Sequence, residues 1–255
     1  VNGDERRGDG RAAHVGGLAF AVDLPDLGAA REAVGAIGDA VDMLKVGLEL
    51  FVEAGPDAVR LGELTDRPVF LDLKLHDIPE TVDRAVARAC ALGARLLTVH
   101  ASGGGAMLER AASRATREGT GLSIVAVTVL TSLDDVDLSG MGVDGGVEPH
   151  VLRLARLAWS AGVRAFVSSP REVVRLRGEL GPSALLVTPG IRPSVAASPG
   201  EDQKRVATAS QAVRDGADWL VVGRPIRDAR DRRAAAEAIR VEIAKARAEQ
   251  GRATA

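Results

Sequence analysis

The chain has 255 residues, 46% hydrophobic and 27% charged, with a formal net charge of −2. That length supports one large core or two small domains, and so even a charge balance leaves no electrostatic footprint for nucleic acid or an anionic membrane. No apolar run of about 18 residues is present and the N-terminus lacks the regions of a secretory signal, so a soluble, cytoplasmic protein is expected.

Residues 1–16 are polar, rich in Gly and Arg, and without periodicity, and are expected to form a disordered leader ahead of a folded domain over 17–250. Apolar runs of β type then recur at 18–22, 43–46, 69–73, 96–99, 122–129, 165–167, 185–187 and 219–222. A helical pattern follows each, at 27–37, 48–61, 81–91, 106–117, 149–161, 170–180, 206–215 and 232–248. Gly93, Gly119, Gly162, Gly181 and Gly216 fall just past helix ends, where a left-handed residue is wanted. The single cysteine, Cys90, lies in the apolar pattern of one helix and reads as a core residue; no internal disulfide or thiolate-rich metal site is possible.

Eight strand–helix units without a composition break predict an α/β fold of one domain, a closed (β/α)8 barrel of the TIM type with its site at the C-terminal strand ends. A doubly wound open sheet is the alternative. It wants Gly-x-Gly-x-x-Gly after the first strand, where Asp23-Leu24-Pro25-Asp26 stands instead.

The third strand is the most informative. Asp72 and Lys74 interrupt an apolar run from Val69 to Leu75, and regular alternation sends both to one face while Leu71, Leu73 and Leu75 take the other. Asp77 follows as a plausible helix cap, with Pro79 suited to the first turn. One Asp–Lys pair can serve merely to fix strand register. Three charges in six residues point instead to a site whose ionisation is tuned, because burying ions costs several kcal/mol each.

In a barrel the strand ends converge. They bring Asp23, Lys45, Asp72, Lys74, Thr98, His100, Thr128, Thr131 and Ser132 to one mouth, with Pro189-Gly190-Ile191-Arg192 after the seventh strand and Gly223-Arg224-Pro225 after the eighth. Together with Asp77, two lysines and three acids are expected to face one another. Asp23 can also be read as a helix cap, Thr131 and Ser132 as turn formers, and His100 as a hydrogen-bonded packing residue.

Only four of the 33 basic residues are lysines, at 45, 74, 204 and 245, so a lysine kept at a strand end is informative. A Schiff-base lysine must be neutral, yet Lys74 has acids at 72 and 77. At about 4 Å and an effective dielectric of about 20, each pair favours the ammonium by about 4 kcal/mol before desolvation. Such an ammonium suits proton donation to a developing carbanion, and a fixed carboxylate beside it would repel a substrate carboxylate about to leave as CO2.

A separate handle lies at Val222-Gly223-Arg224-Pro225, a strand passing through glycine into a helix start, the usual phosphate grip of such barrels. The Pro-, Gly- and Ser-rich stretch over 189–202 reads as a lid.

At these positions the chain resembles the orotidine 5′-phosphate decarboxylases over residues 18–240. Asp72-x-Lys74-x-x-Asp77-Ile78-Pro79 is the most specific element. Ala21-Val22-Asp23, Lys45-Val46-Gly47, Thr128-Val129-Leu130-Thr131-Ser132, Thr188-Pro189-Gly190-Ile191-Arg192-Pro193 and Val222-Gly223-Arg224-Pro225 support it. The resemblance implies a homodimer that converts orotidine 5′-phosphate to UMP and CO2, the last step of UMP synthesis, without metal or organic cofactor. It implies that Lys74 protonates C6, that Asp72 holds Lys74 and presses on the leaving carboxylate, and that Asp77 enters the neighbouring subunit's site. Asp23 and Lys45 would bind ribose hydroxyls and Thr131 and Ser132 the pyrimidine, with Ile78 and Thr81 also at the substrate. Arg192, Gln203, Gly223 and Arg224 would close on phosphate.

Two rivals share features with this reading. The sugar-phosphate decarboxylases and hexulose-phosphate synthases resemble the chain at Asp-x-Lys-x-x-Asp but hold Mg2+ with a glutamate where this chain has Lys45, whose ammonium would repel the ion. A catalytically silent nucleotide-binding barrel would keep the phosphate grip and lose Lys74 or Asp72, and both are present.

Overall fold

The computed structural model describes residues 16–192 and 206–253. The expected leader, apart from Gly16, therefore lies outside the described residues, as do Gln203 and most of the expected lid. Eight parallel strands close into a barrel in sequence order: β1 (Leu18–Ala21), β2 (Met43–Gly47), β3 (Val69–Leu75), β4 (Leu96–His100), β5 (Ser123–Val127), β6 (Ala165–Val167), β7 (Leu185–Thr188) and β8 (Trp219–Val222). Around it run α1 (Leu27–Ile37), α2 (Leu48–Ala54), α3 (Pro79–Ala91), α4 (Gly105–Glu118), α5 (Asp135–Gly140), α6 (Val147–Ser160), α7 (Val173–Leu180), α8 (Ala209–Arg214), α9 (Arg224–Arg227) and α10 (Arg232–Ala253). No helix among the described residues is long and apolar enough to cross a membrane.

Strand alternation divides the core in two. Ala19, Ala21, Met43, Phe70, Leu96, Val125, Leu185, Trp219 and Val221 fill the barrel interior. Their strand neighbours, among them Leu18, Phe20, Leu44, Val46, Leu71, Leu97 and Phe166, pack outward against the helices. Cys90 is buried in that outer layer, as its pattern predicts. All five glycines read as helix stops have positive φ.

The departures from expectation are local. The helix expected over 48–61 ends at Ala54, because Gly55 turns to φ 55° and Pro56 opens a 3-10 segment, Gly55–Leu64. The helix expected from 206 begins at Ala209. Ala207 is held in a bridge to Ile191, and the Thr208 hydroxyl caps the helix by accepting from Gln211 N. The short helix α5, with its Asp134–Asp137 capping box, fills a stretch between the fifth expected strand and the helix expected from 149 where no element is expected.

One outer contact ties neighbouring units. Asp83 on α3 is 1% exposed and accepts from Arg114 Nε at 2.9 Å and Arg117 Nη2 at 3.0 Å, both on α4. The hydrogen bonds from Arg114, reinforced by the charges of Arg114 and Arg117, hold its carboxyl below the usual range.

Hydrogen bonds to charged groups contribute about 1.5–3 kcal/mol net, with the low end expected here because the arginines reach solvent. At roughly 2–4 °C per kcal/mol in a domain of this size, Asp83→Ala should lower Tm by several degrees while leaving activity per folded molecule unchanged. A folded-state pKa below the unfolded one stabilises fully above about pH 4 and is lost as pH falls through the folded value. The Tm difference measured by calorimetry should accordingly shrink in acid.

Candidate active site

β3 begins in regular register with β4, Phe70 opposite Leu96 and Leu71 opposite Leu97, and the register then shifts before Leu75 meets Val99. Inside the shift Lys74 takes φ 50°, a conformation costing a non-glycine residue about 1–2 kcal/mol. Its amide donates to Thr98 Oγ1 on β4 at 2.7 Å. The Lys74 side chain then reaches Asp72, Nζ to Oδ1 at 2.9 Å. Asp72 and Lys74 thus share a face as expected, but through a bulge and not through unbroken alternation. Leu73 and Leu75 pack against the outer core.

The second oxygen of Asp72 faces Lys45 on β2, Oδ2 to Nζ at 3.5 Å, and the same ammonium lies 3.1 Å from Asp23 Oδ1 just after β1. Charges of alternating sign therefore run Lys74, Asp72, Lys45, Asp23 across three adjacent strands. Burial works against the Lys45 ammonium, but the carboxylates of Asp23 and Asp72 outweigh it and raise its pKa. Burial likewise opposes the Asp72 carboxylate, and Lys45 and Lys74, with hydrogen bonds from Lys74 and Thr98, outweigh it and lower the pKa. Asp23 is no helix cap, since Asp26 accepts from Ala29 N to start α1.

These groups line a cavity of about 600 Å3 at the C-terminal end of the barrel. Thr131, Ser132, Arg192, Gly223 and Arg224 join Asp23, Lys45, Asp72 and Lys74 in its wall, and Phe70, Val127, Val167, Val187 and Val221 supply apolar surface. Pro189 and Gly190 complete the rim beside Arg192, where Arg192 N donates to Ala207 O at 2.9 Å.

Thr98, His100 and Thr128 of the expected mouth are not in that wall, and neither are Asp77, Ile78 and Thr81. Asp77 and Ile78 are exposed, Thr81 is half-buried on α3, and none lines the cavity of its own chain. Two lysines and two acids meet there, not two and three. Nor does Asp77 cap α3. The cap position belongs to Ile78, and Asp77 Oδ1 accepts from Ile78 N at 2.6 Å. His100 stacks obliquely on His76 with ring centroids 5.5 Å apart, and burial first, then His76 and Lys74, lowers its pKa.

Sequence reasoning missed Arg227, which lines the cavity and donates to Asp23 O at 3.2 Å. Its spacing of three from Arg224, in the same short helix, was the available signal. The role of Thr98 is not visible in the sequence, because it is the register shift of β3 that brings the Lys74 amide to its hydroxyl.

The family described as Orotidine 5′-phosphate decarboxylase / HUMPS matches residues 17–239. The chain belongs to this family. An orotidine 5′-phosphate decarboxylase of Anaeromyxobacter sp. (strain K) is 54% identical over 87% of this chain and 96% of its own. The enzyme of the same name from Moorella thermoacetica is 47% identical over 89% and 91%. A crystal structure of orotidine 5′-phosphate decarboxylase from Lactobacillus acidophilus superposes with a TM-score of 0.78 at 34% identity, covering 89% of this chain and 99% of that one.

In this member of the decarboxylase / HUMPS family, the Lys45 ammonium lies between the carboxylates of Asp23 and Asp72. Among the described residues no three His, Cys, Asp or Glu side chains cluster as metal ligands. Because Lys45 helps to hold the Asp72 pKa down, Lys45→Met should move it up. Carboxyl-13C NMR titration of aspartate-labelled protein measures this, and an unmoved Asp72 resonance would mean that Lys45 does not govern it.

Proposed function

We propose that this chain decarboxylates orotidine 5′-phosphate to UMP and CO2, the closing step of UMP synthesis, with its own side chains and no metal or organic cofactor. The observation carrying the reading is the Lys74–Asp72–Lys45–Asp23 array at one wall of the cavity. Family membership and the naming of its relatives give the substrate.

The chemistry follows from the charges. The substrate's carboxylate sits at C6 of the pyrimidine beside Asp72, and repulsion between the two anions is relieved as the C6–carboxylate bond breaks and neutral CO2 departs. The bonding electron pair stays on C6. Lys74 Nζ, held 2.9 Å from Asp72 Oδ1, stabilises that developing carbanion and delivers a proton to it. An interaction that strengthens only as charge appears at C6 accelerates the step itself. Lys45 keeps Asp72 ionised and, with Asp23, holds the ribose hydroxyls. Thr131 and Ser132 meet the pyrimidine.

Arg192, Gly223 and Arg224, which follow β7 and β8, hold the phosphate together with Gln203. Phosphate binding far from the breaking bond then serves to fix the cavity around the pyrimidine. The homodimer reading rests on the other face of the β3–α3 turn. Asp77 and Ile78, the latter 65% exposed, line no part of their own cavity and are offered to a second subunit's site, together with Thr81.

Purified protein should convert the ultraviolet spectrum of orotidine 5′-phosphate to that of UMP at a rate untouched by EDTA. Lys74→Ala should cut kcat by about a thousandfold or more, within the range of a lost general acid, with UMP affinity changed far less. Equal losses in both would reduce Lys74 to a binding group.

Shared sites make a further prediction. Subunits carrying Lys74→Ala, mixed with subunits carrying Asp77→Ala, should regain part of the activity, since one site of each hybrid draws both groups from intact chains. Hybrids shown by mass spectrometry to have formed, yet still inactive, would exclude the shared site.

A further inference from the structure

We propose that Thr98 is a positioning residue, whose hydroxyl sets the geometry of both Asp72 and Lys74 from beneath the cavity. Thr98 is fully buried and lines no part of the cavity, so it acts on substrate only through others. It sits on the inward face of β4, two residues beyond the interior Leu96 and opposite the interior Val125. There its Oγ1 has two partners, Lys74 N at 2.7 Å and Asp72 Oδ1 at 2.9 Å.

The chemistry of the partners fixes the direction of both bonds. An amide N–H only donates, so Oγ1 accepts from Lys74; an ionised carboxylate only accepts, so the one hydroxyl proton goes to Asp72. Each bond answers a specific need. The Lys74 amide lies where β3 leaves its register with β4, and Thr98 supplies its acceptor while Lys74 holds φ 50°. Asp72 Oδ1 also accepts from Lys74 Nζ, so the second bond fixes the carboxylate that aims the ammonium. One hydroxyl thus grips the backbone of the proton donor and the side chain that orients it. Valine has the same branched shape and neither bond.

This assignment rests on the decarboxylase reading, and the test keeps the two apart. Three proteins are compared: unsubstituted, Thr98→Val and Thr98→Ser, each corrected for its folded fraction by thermal unfolding. Thr98→Val should lower kcat by about tenfold to a hundredfold, the scale of a small misplacement of reacting groups, with UMP affinity nearly unchanged. Thr98→Ser, which keeps the hydroxyl, should stay within a few-fold of the unsubstituted enzyme.

A second readout does not depend on turnover. Asp72 is faced by Lys45 from β2, by Lys74 on its own strand and by His100 from β4, with Asp23 beyond Lys45. Against that constant background, Thr98→Val should raise the Asp72 titration midpoint in carboxyl-13C NMR and Thr98→Ser should not. An unchanged kcat and titration in Thr98→Val would overturn the proposal. Equal damage in both variants would overturn it as well, by assigning the effect to packing of the methyl group. If the unsubstituted protein shows no turnover, the decarboxylase reading falls, and the Asp72 titration alone decides whether Thr98 holds that carboxylate.

Discussion

The site depends on keeping one buried carboxylate, that of Asp72, ionised. Its side chain is 13% exposed, and an ion so placed costs several kcal/mol unless each oxygen is answered. Oδ1 meets the Lys74 ammonium and the Thr98 hydroxyl; Oδ2 meets Lys45. Much of the barrel mouth follows from that requirement. β2 must carry a lysine within the strand, β1 must be followed by an acid to balance it, and β3 must abandon its register so that a second ammonium turns inward. Take away one member and its neighbour is left as an unpaired charge near the interior.

The same arrangement separates two kinds of work within one cavity. Phe70, Val127, Val167, Val187 and Val221 line it with surface that keeps the effective dielectric low beside the charges. Arg192 and Gly223 follow β7 and β8, and Arg224 opens α9. Loops at the C-terminal face are where a barrel varies its grip on ligand without disturbing the strands. On the proposed reading, the Lys–Asp array does the chemistry and the residues after β7 and β8 grip the phosphate.

Much of this was legible in the sequence. Eight apolar runs alternating with helical patterns specified the barrel, because buried parallel strands and amphipathic helices have periods that cannot be confused over that many units. Lys45, Asp72 and Lys74 were legible because charges inside buried strands need a reason. What escaped were features set by backbone detail. Alternation gave the right neighbours for Asp72 and Lys74 without revealing the positive φ of Lys74, which no local residue preference announces. Asp77 looked like a third acid at the mouth, since sequence spacing does not say which way a turn residue points once a strand has ended. The break after Ala54 was signalled by Gly55-Pro56 and was overridden by the apolar periodicity running through it.

The central claim is that protein charges alone, without a divalent cation, carry the electrons left at C6 and deliver a proton there. Incubating metal-stripped protein with orotidine 5′-phosphate in D2O, with EDTA present, tests it in one sample read by NMR. UMP bearing deuterium at C6, formed at the rate of the untreated protein, is the result this account predicts. Unchanged substrate until Mg2+ is restored would contradict it.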